Sequence, residues 1–270
     1  MTETLLRFVQ ITDTHISANP HYNQDGAHHT PLVGAKALVH QINNLPFKPD
    51  FVLHTGDVAY NPDESAYYTA RQILSEIEAP VYYLAGNHDD GAMLQRIMLG
   101  EQEPKTPFDY EFEVKGVQIV CMDSNRPAEP PRGKVSVEQL AWLADICQAQ
   151  DSRPLIVAVH HNVLPMGSYW WDKFMRMTNG EDFHRTLLPA QKRLRGVFFG
   201  HVHQNVEMTR DGIAYHSALS SWYQLHNYPD QVDSMPDRTA RPGFNIITIT
   251  REQTYIRRCS FMVDPGAIEG

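Results

Sequence analysis

The sequence predicts an α/β protein, and three observations carry that reading. Short apolar runs rich in β-branched and aromatic residues recur along the chain, segments with helical spacing separate several of them, and polar motifs stand directly after the runs. The runs at 5–11, 51–54, 81–84, 117–122, 155–159 and 197–199 read as buried strands. The helical spacing covers 33–44, 64–78, 137–150 and 182–194, with helix starts expected at Ser136, followed by Glu138 and Gln139, and at Asp182 before Phe183. Pro46, Pro80 and Pro154 punctuate helix-to-strand connections.

The texture changes at 108–114 and again beyond Val206, where 215–219, 244–250 and 255–261 read as short hairpin-connected strands. A second, more antiparallel sheet is therefore expected. No internal repeat, low-complexity tract or linker interrupts the chain, so residues 1–270 are expected to form a single domain. The irregular stretch 162–180 holds Tyr169, Trp170, Trp171, Phe174, Met175 and Met177, and reads as an aromatic lid or as the contact loop of a homodimer. Its paired tryptophans either stack on a base or, as aromatics in long loops more often do, pack the loop down.

Composition narrows the function. The chain has 270 residues, 42% hydrophobic and 20% charged, as an ordinary globule does. Its longest apolar runs, such as 155–159, fall far below the roughly 18 residues needed to cross a bilayer. The first eight residues carry Glu3 and Arg7 and lack the pattern of a secretory signal, so a cytoplasmic location without membrane contact is expected. Lys plus Arg number 23 against 32 Asp plus Glu, a net charge of -9, which disfavours polymeric nucleic acid as a partner. Cys121, Cys147 and Cys259 are too dispersed for a thiolate metal site and read as buried apolar residues in a reducing compartment. The 14 histidines are the oddity, since imidazole is the commonest metal ligand.

Their placement is informative. Asp13-Thr14-His15, Gly56-Asp57, Gly86-Asn87-His88-Asp89, His160-His161 and Gly200-His201-Val202-His203 each follow a predicted strand. Residues at the carboxyl ends of strands in an α/β sheet converge on one rim. Singly, Asp-x-His or Gly-Asp means little, and Asp13 or Asp57 alone reads as a helix cap. Gly-Asn-His followed by an acid, by contrast, is expected by chance only on the order of 0.004 times in such a chain, and the ensemble is rarer still.

Two carboxylates, several imidazoles and an amide oxygen, with no thiolate, suit two divalent cations of the Mn, Fe, Zn or Co type. Asp13, His15 and His203 are expected to hold one, Asn87, His160 and His201 the other, and Asp57 to bridge them through its two oxygens. Asp-x-His and His-x-His on extended backbone would each turn both side chains to one face. The glycines before ligands permit sharp turns or close approach. Two cations outweigh two aspartates and draw a phosphodiester monoanion, which a metal-activated hydroxide attacks. His88 is expected to protonate the leaving oxygen, with Asp89 orienting its ring, and Asn87, His88 and His161 to touch the substrate. His54 reads as a packed histidine.

These motifs resemble those of the calcineurin-like metallophosphoesterases, within them the class III cyclic-nucleotide phosphodiesterases and their glycerophosphodiesterase relatives, over residues 5–219. The pattern D-x-H, GD, GNH-D/E, H and GHxH occurs here in the family's order. The resemblance implies a four-layer α/β/β/α sandwich of two mixed sheets flanked by helices. It also implies a metal-dependent phosphodiesterase acting on small diesters, 3',5'-cyclic nucleotides such as cAMP foremost. A glycerophosphodiesterase or phosphomonoesterase on the same metal core is the alternative, and a non-catalytic protein-binding scaffold a remoter one. Relatives commonly show His-His-Pro-Pro where this chain has His160-His161-Asn162-Val163, a departure that bears on substrate choice. The segment 217–222 looks like the Ser-rich loop that follows the last motif in cyclic-nucleotide members.

Overall fold

The computed structural model describes residues 3–126, 129–226 and 228–263, so residues 1, 2, 127, 128, 227 and 264–270 of the expected domain lie outside the described residues. Its first sheet has five strands in the order β13-β12-β1-β2-β3. These are β1 (Thr4–Ile11), β2 (Phe51–His54), β3 (Val81–Tyr83), β12 (Gly243–Thr250) and β13 (Thr254–Ser260). The second has six, ordered β4-β5-β6-β7-β9-β8. They are β4 (Tyr110–Val114), β5 (Val117–Met122), β6 (Leu155–Val159), β7 (Leu194–Phe199), β8 (Glu207–Arg210) and β9 (Ile213–Ser217). A short antiparallel pair, β10 (Gln224–Leu225) and β11 (Pro236–Asp237), stands apart.

The strands alternate with period two, yet both faces are buried, which is why the sequence shows continuous apolar runs. Leu6, Phe8, Leu53, Ile119, Cys121, Ile156, Ala158 and Phe198 fill the space between the sheets. Val9, Ile11 and Val52 face the other way, onto helices α1 (Pro31–Asn43) and α2 (Glu64–Leu74). Val120, Val157, Val159 and Phe199 do the same for α4 (Val137–Gln148) and α5 (Gly180–Leu187). Four layers result, helices on sheet on sheet on helices.

Several expectations are corrected. The antiparallel strands do not make a sheet of their own: β12 pairs with β1, β13 with β12, and β4 and β8 close the edges of the second sheet, so both sheets are mixed. Three of those pairings are local hairpins, whereas the β1–β12 pairing joins segments far apart in sequence, which local pattern does not encode. Helix α2 ends at Leu74 rather than 78, and the chain then turns so that Glu78 N–H donates to the Asn43 side chain on α1. The fourth predicted helix starts earlier and stops sooner. It begins at Gly180 with Asp182 in its first turn, and Pro189, which lacks an N–H, sits in the 3-10 turn Leu188–Ala190 that follows. Asn179 precedes this helix without capping it, because its side chain binds both backbone groups of Val135. Ser136 does cap α4, in a reciprocal box with Gln139. The short helix α3 (Gly91–Leu94) was not anticipated.

Stretch 162–180 is buried at some residues and open at others, Tyr169 being 47% exposed. Trp171 and Met177 are fully buried beneath the second sheet's helices, so the Trp171 indole cannot stack on a ligand, and a π-helical turn spans Trp171–Met175.

Candidate metal centre

β1, β2 and β3 run parallel as neighbours in one sheet, and β6 and β7 in the other. Their carboxyl ends deliver the predicted motifs to one place. The first sheet supplies Asp13, His15, Asp57 and Asn87, the second His160, His201 and His203, all but Asn87 at most 4% exposed.

The backbone there is not extended, which corrects the same-face argument. Asp13, His15, Asp57, His201 and His203 have φ of 51°, 45°, 56°, 70° and 47°. Left-handed conformations are uncommon for side chains with a Cβ and cluster at functional sites. The glycines let the strand ends meet. A Cβ on Gly56, whose φ is +101°, would lie 2.4 Å from His160 Nδ1, and one on Gly86 2.1 Å from Asp57 Oδ1. On Gly200 it would lie 2.0 Å from Thr12 Oγ1.

Donor atoms face one another in two linked groups. In the first, His15 Nε2 and His203 Nε2 are 3.0 Å apart, and His203 Nε2 is 3.4 Å from Asp13 Oδ1. In the second, His160 Nε2 is 3.1 Å from Asn87 Oδ1, and His160 and His201 offer ring nitrogens within 4.8 Å of each other. Asp57 Oδ2 lies between the groups, 3.6 Å from His15 Nε2 and 3.4 Å from His160 Nε2. Donors about 2.0–2.2 Å from one ion sit roughly 3.0–3.6 Å from each other, so these separations fit ligand shells. Asp57 Oδ1 accepts the His88 N–H at 2.8 Å.

The outward ring nitrogens support the same reading. His160 Nδ1 is 2.8 Å from the Thr55 carbonyl, His203 Nδ1 2.8 Å from that of Tyr223, and His201 Nε2 3.0 Å from that of Met175. A ligating histidine typically donates its other N–H in this way, which fixes tautomer and ring orientation. No sequence signal announces these partners, since every residue has a carbonyl. His15 is the exception: Nδ1 is buried without a partner among the described residues, and aromatic rings clasp the imidazole instead.

The charges are interdependent. Burial works to raise both aspartates, but His203 pulls Asp13 below the usual carboxylate range, and His160 with His88 holds Asp57 well below it. Burial presses His160 toward neutrality, yet the Asp57 carboxylate overcomes this and lifts the ring to about 9. Burial, with His161 and His160 nearby, drives His201 well down. Two ionised carboxylates among crowded imidazoles form a donor set that divalent cations fit.

The remaining predicted site residues are placed differently. His88 is half-buried beside His15, ring centroids 4.7 Å apart, and its Nδ1 meets the Tyr60 carbonyl at 2.8 Å. Asp89 does not touch that ring. Its carboxylate accepts from the Val58, Ala59 and Gly86 N–H groups and from Tyr67 OH, tying the Asp57 loop to the Asn87 loop. His161 is fully buried, not at the rim, with Nδ1 2.7 Å from Ser124 Oγ and Nε2 3.1 Å from the Pro131 carbonyl, so neither nitrogen is free for a substrate. His54 is a packed histidine, pushed down to about 3 by burial and bonded to Thr14.

Comparison with known proteins agrees. The chain is 28% identical to a 3',5'-cyclic adenosine monophosphate phosphodiesterase CpdA of Pseudomonas aeruginosa, over 90% of this chain and 85% of that protein. It is 26% identical to a probable cyclic nucleotide phosphodiesterase of Psychrobacter arcticus, over 87% and 86%. Among solved structures, a dimetal phosphatase from Danio rerio superposes with a TM-score of 0.67 at 14% identity, covering 96% of this chain and 100% of that one, a likeness of fold. Residues 6–205 match the calcineurin-like phosphoesterase family, and with the strand-end donor groups in that family's order the chain belongs to it.

Proposed function

We propose that the protein is a dinuclear metal-dependent phosphodiesterase that hydrolyses 3',5'-cyclic nucleotides, cAMP foremost. The observation that carries this is the convergence of donors from both sheets on Asp57 Oδ2, with the outward nitrogens of His160, His201 and His203 engaged by carbonyls. The names of the relatives support the substrate.

Asp13, His15, His203 and Asp57 would hold one ion, and Asp57, Asn87, His160 and His201 the other. Bound divalent ions, of the Mn, Fe, Zn or Co type, supply a nucleophilic hydroxide at neutral pH and charge stabilisation of the phosphoryl oxygens. Among the candidate ligands, Asp13 and Asp57 bring negative charge, which two divalent ions would outweigh. His88 lies beside the centre, its ring next to that of His15. Its Nδ1 is anchored on Tyr60, leaving Nε2 to hold a proton for the leaving oxygen. In the reaction an O–P bond forms from water, the P–O3' bond breaks, and O3' takes the proton, giving a nucleoside 5'-monophosphate.

Chelator-stripped protein is expected to lose hydrolysis of cAMP and of bis(p-nitrophenyl) phosphate, and to regain both with Mn. Undiminished hydrolysis by protein shown to be metal-free would refute the mechanism.

A further inference from the structure

A wall of aromatic rings adjoins the proton-donor side of the centre. Tyr60 lies next to His88, ring centroids 5.3 Å apart, and Tyr22 lies against Tyr60 at 4.5 Å. Trp222 contacts Tyr22, Tyr60 and His15 at 5.7, 5.9 and 5.8 Å. Tyr22 and Tyr60 are half-buried, whereas Trp222 beside them is 2% exposed. The wall is fixed from several directions. Tyr60 N–H donates to the Ile16 carbonyl at 3.1 Å, and Trp222 Nε1 donates at 3.0 Å to Asn23, the neighbour of Tyr22.

We infer that Tyr22 and Tyr60 form the subsite for the organic body of the leaving alcohol and select a flat aromatic group, such as a purine, over a small aliphatic one. This rests on the phosphodiesterase reading and on a geometric requirement. A proton donor must lie within hydrogen-bond reach of the leaving oxygen, so the group attached to that oxygen extends over the same side. What stands there is aromatic surface held in place before any ligand arrives. Bases stack on such surfaces whatever their sequence identity, and pre-ordered rings bind them with little loss of freedom. Glycerol or ethanolamine has no face to offer in return. Tyr22 and Tyr60 lie outside the strand-end motifs, so the motif pattern does not reveal them.

The test compares Tyr22→Leu, Tyr60→Leu and the matching Phe variants on two substrates, cAMP and glycerophosphoethanolamine, in metal-loaded enzyme. The ratio of kcat/KM for cAMP to that for the glycerol diester is expected to fall at least about fivefold in the Leu variants, through KM, and to recover in the Phe variants. A parallel titration followed by tryptophan fluorescence needs no turnover. Wild-type protein is expected to bind adenosine 5'-monophosphate at least about fivefold more tightly than ribose 5-phosphate, and the Leu variants to lose that preference. An unchanged ratio together with no preference for the nucleotide would overturn the subsite. Wild-type protein that cleaves neither diester yet shows the Tyr-dependent preference would overturn the proposed function and leave the subsite standing.

Discussion

His88 and Asp89 are adjacent in the chain and serve different ends. The Tyr60 carbonyl sets the His88 ring, so His88→Ala is expected to lower turnover of cAMP about 100-fold while metal content, measured by elemental analysis, stays at wild-type level. Asp89 instead receives four donors on two oxygens. An amide has one acceptor oxygen, so Asp89→Asn strands buried donors and is expected to cost about 2–4 kcal/mol in thermal or urea unfolding, with loss of bound metal as the two ligand loops part. An unchanged unfolding midpoint would contradict that role. Asp109 gives a pH-dependent case away from the metals. Burial, opposed by the Asp123 N–H and Gln139, pushes its carboxyl up to about 6 from 3.8. The folded chain therefore keeps this proton to higher pH than the unfolded chain, and the stability it contributes below pH 3.8 is lost as pH rises toward 6. Asp109→Asn retains the Oδ1 acceptor for both donors, so it is expected to raise unfolding free energy by about 1–2 kcal/mol at pH 7.5 and to change little at pH 3.5.

At the level of elements, the strand ends decide the site. After β1, β2, β3 and β7 the chain bends through a left-handed residue or a glycine next to the ligands, whereas His160 follows β6 directly. Gly56→Ala combines a strained φ with a Cβ 2.4 Å from His160 Nδ1. The expected outcome is displacement of His160 and a metal content falling from two ions per chain toward one, with the fold retained by circular dichroism. Two ions in that variant would show that the ring has room to spare. Element boundaries were legible where a local device sets them, as with the Ser136–Gln139 box that starts α4. They were not legible where a distant partner claims the capping side chain, as Val135 does with Asn179.

For the whole molecule, stacking of two sheets creates the centre. Each donor group draws on both sheets, so neither half-site exists in one sheet alone. The sheets are joined just below the site by a buried polar link: Gln10 Nε2 donates to the Phe199 carbonyl at 3.0 Å, and Asn245 Nδ2 donates to Gln10 Oε1 at 3.0 Å and to the Ser217 carbonyl at 2.8 Å. Gln10→Leu removes the bonds to the Phe199 carbonyl and from Asn245 Nδ2 and leaves the Asn245–Ser217 bond in place. It is expected to cost about 1–3 kcal/mol and to weaken metal binding in a chelator competition, although no ligand has changed.

The sequence by itself determined the α/β class, through apolar strand-like runs alternating with helical spacing, and the identity of the candidate donors, through rare residue types placed at strand ends. Those are local properties, written in which side chain stands where. Tertiary structure alone decided which ring nitrogen faces inward, that Asp57 Oδ2 lies between the two donor groups, that His161 is enclosed, and that Tyr60 rather than Asp89 holds His88. Each of these turns on backbone carbonyls and N–H groups from distant segments, and such groups are the same at nearly every position of a chain, so nothing in residue identity marks them before folding brings them together.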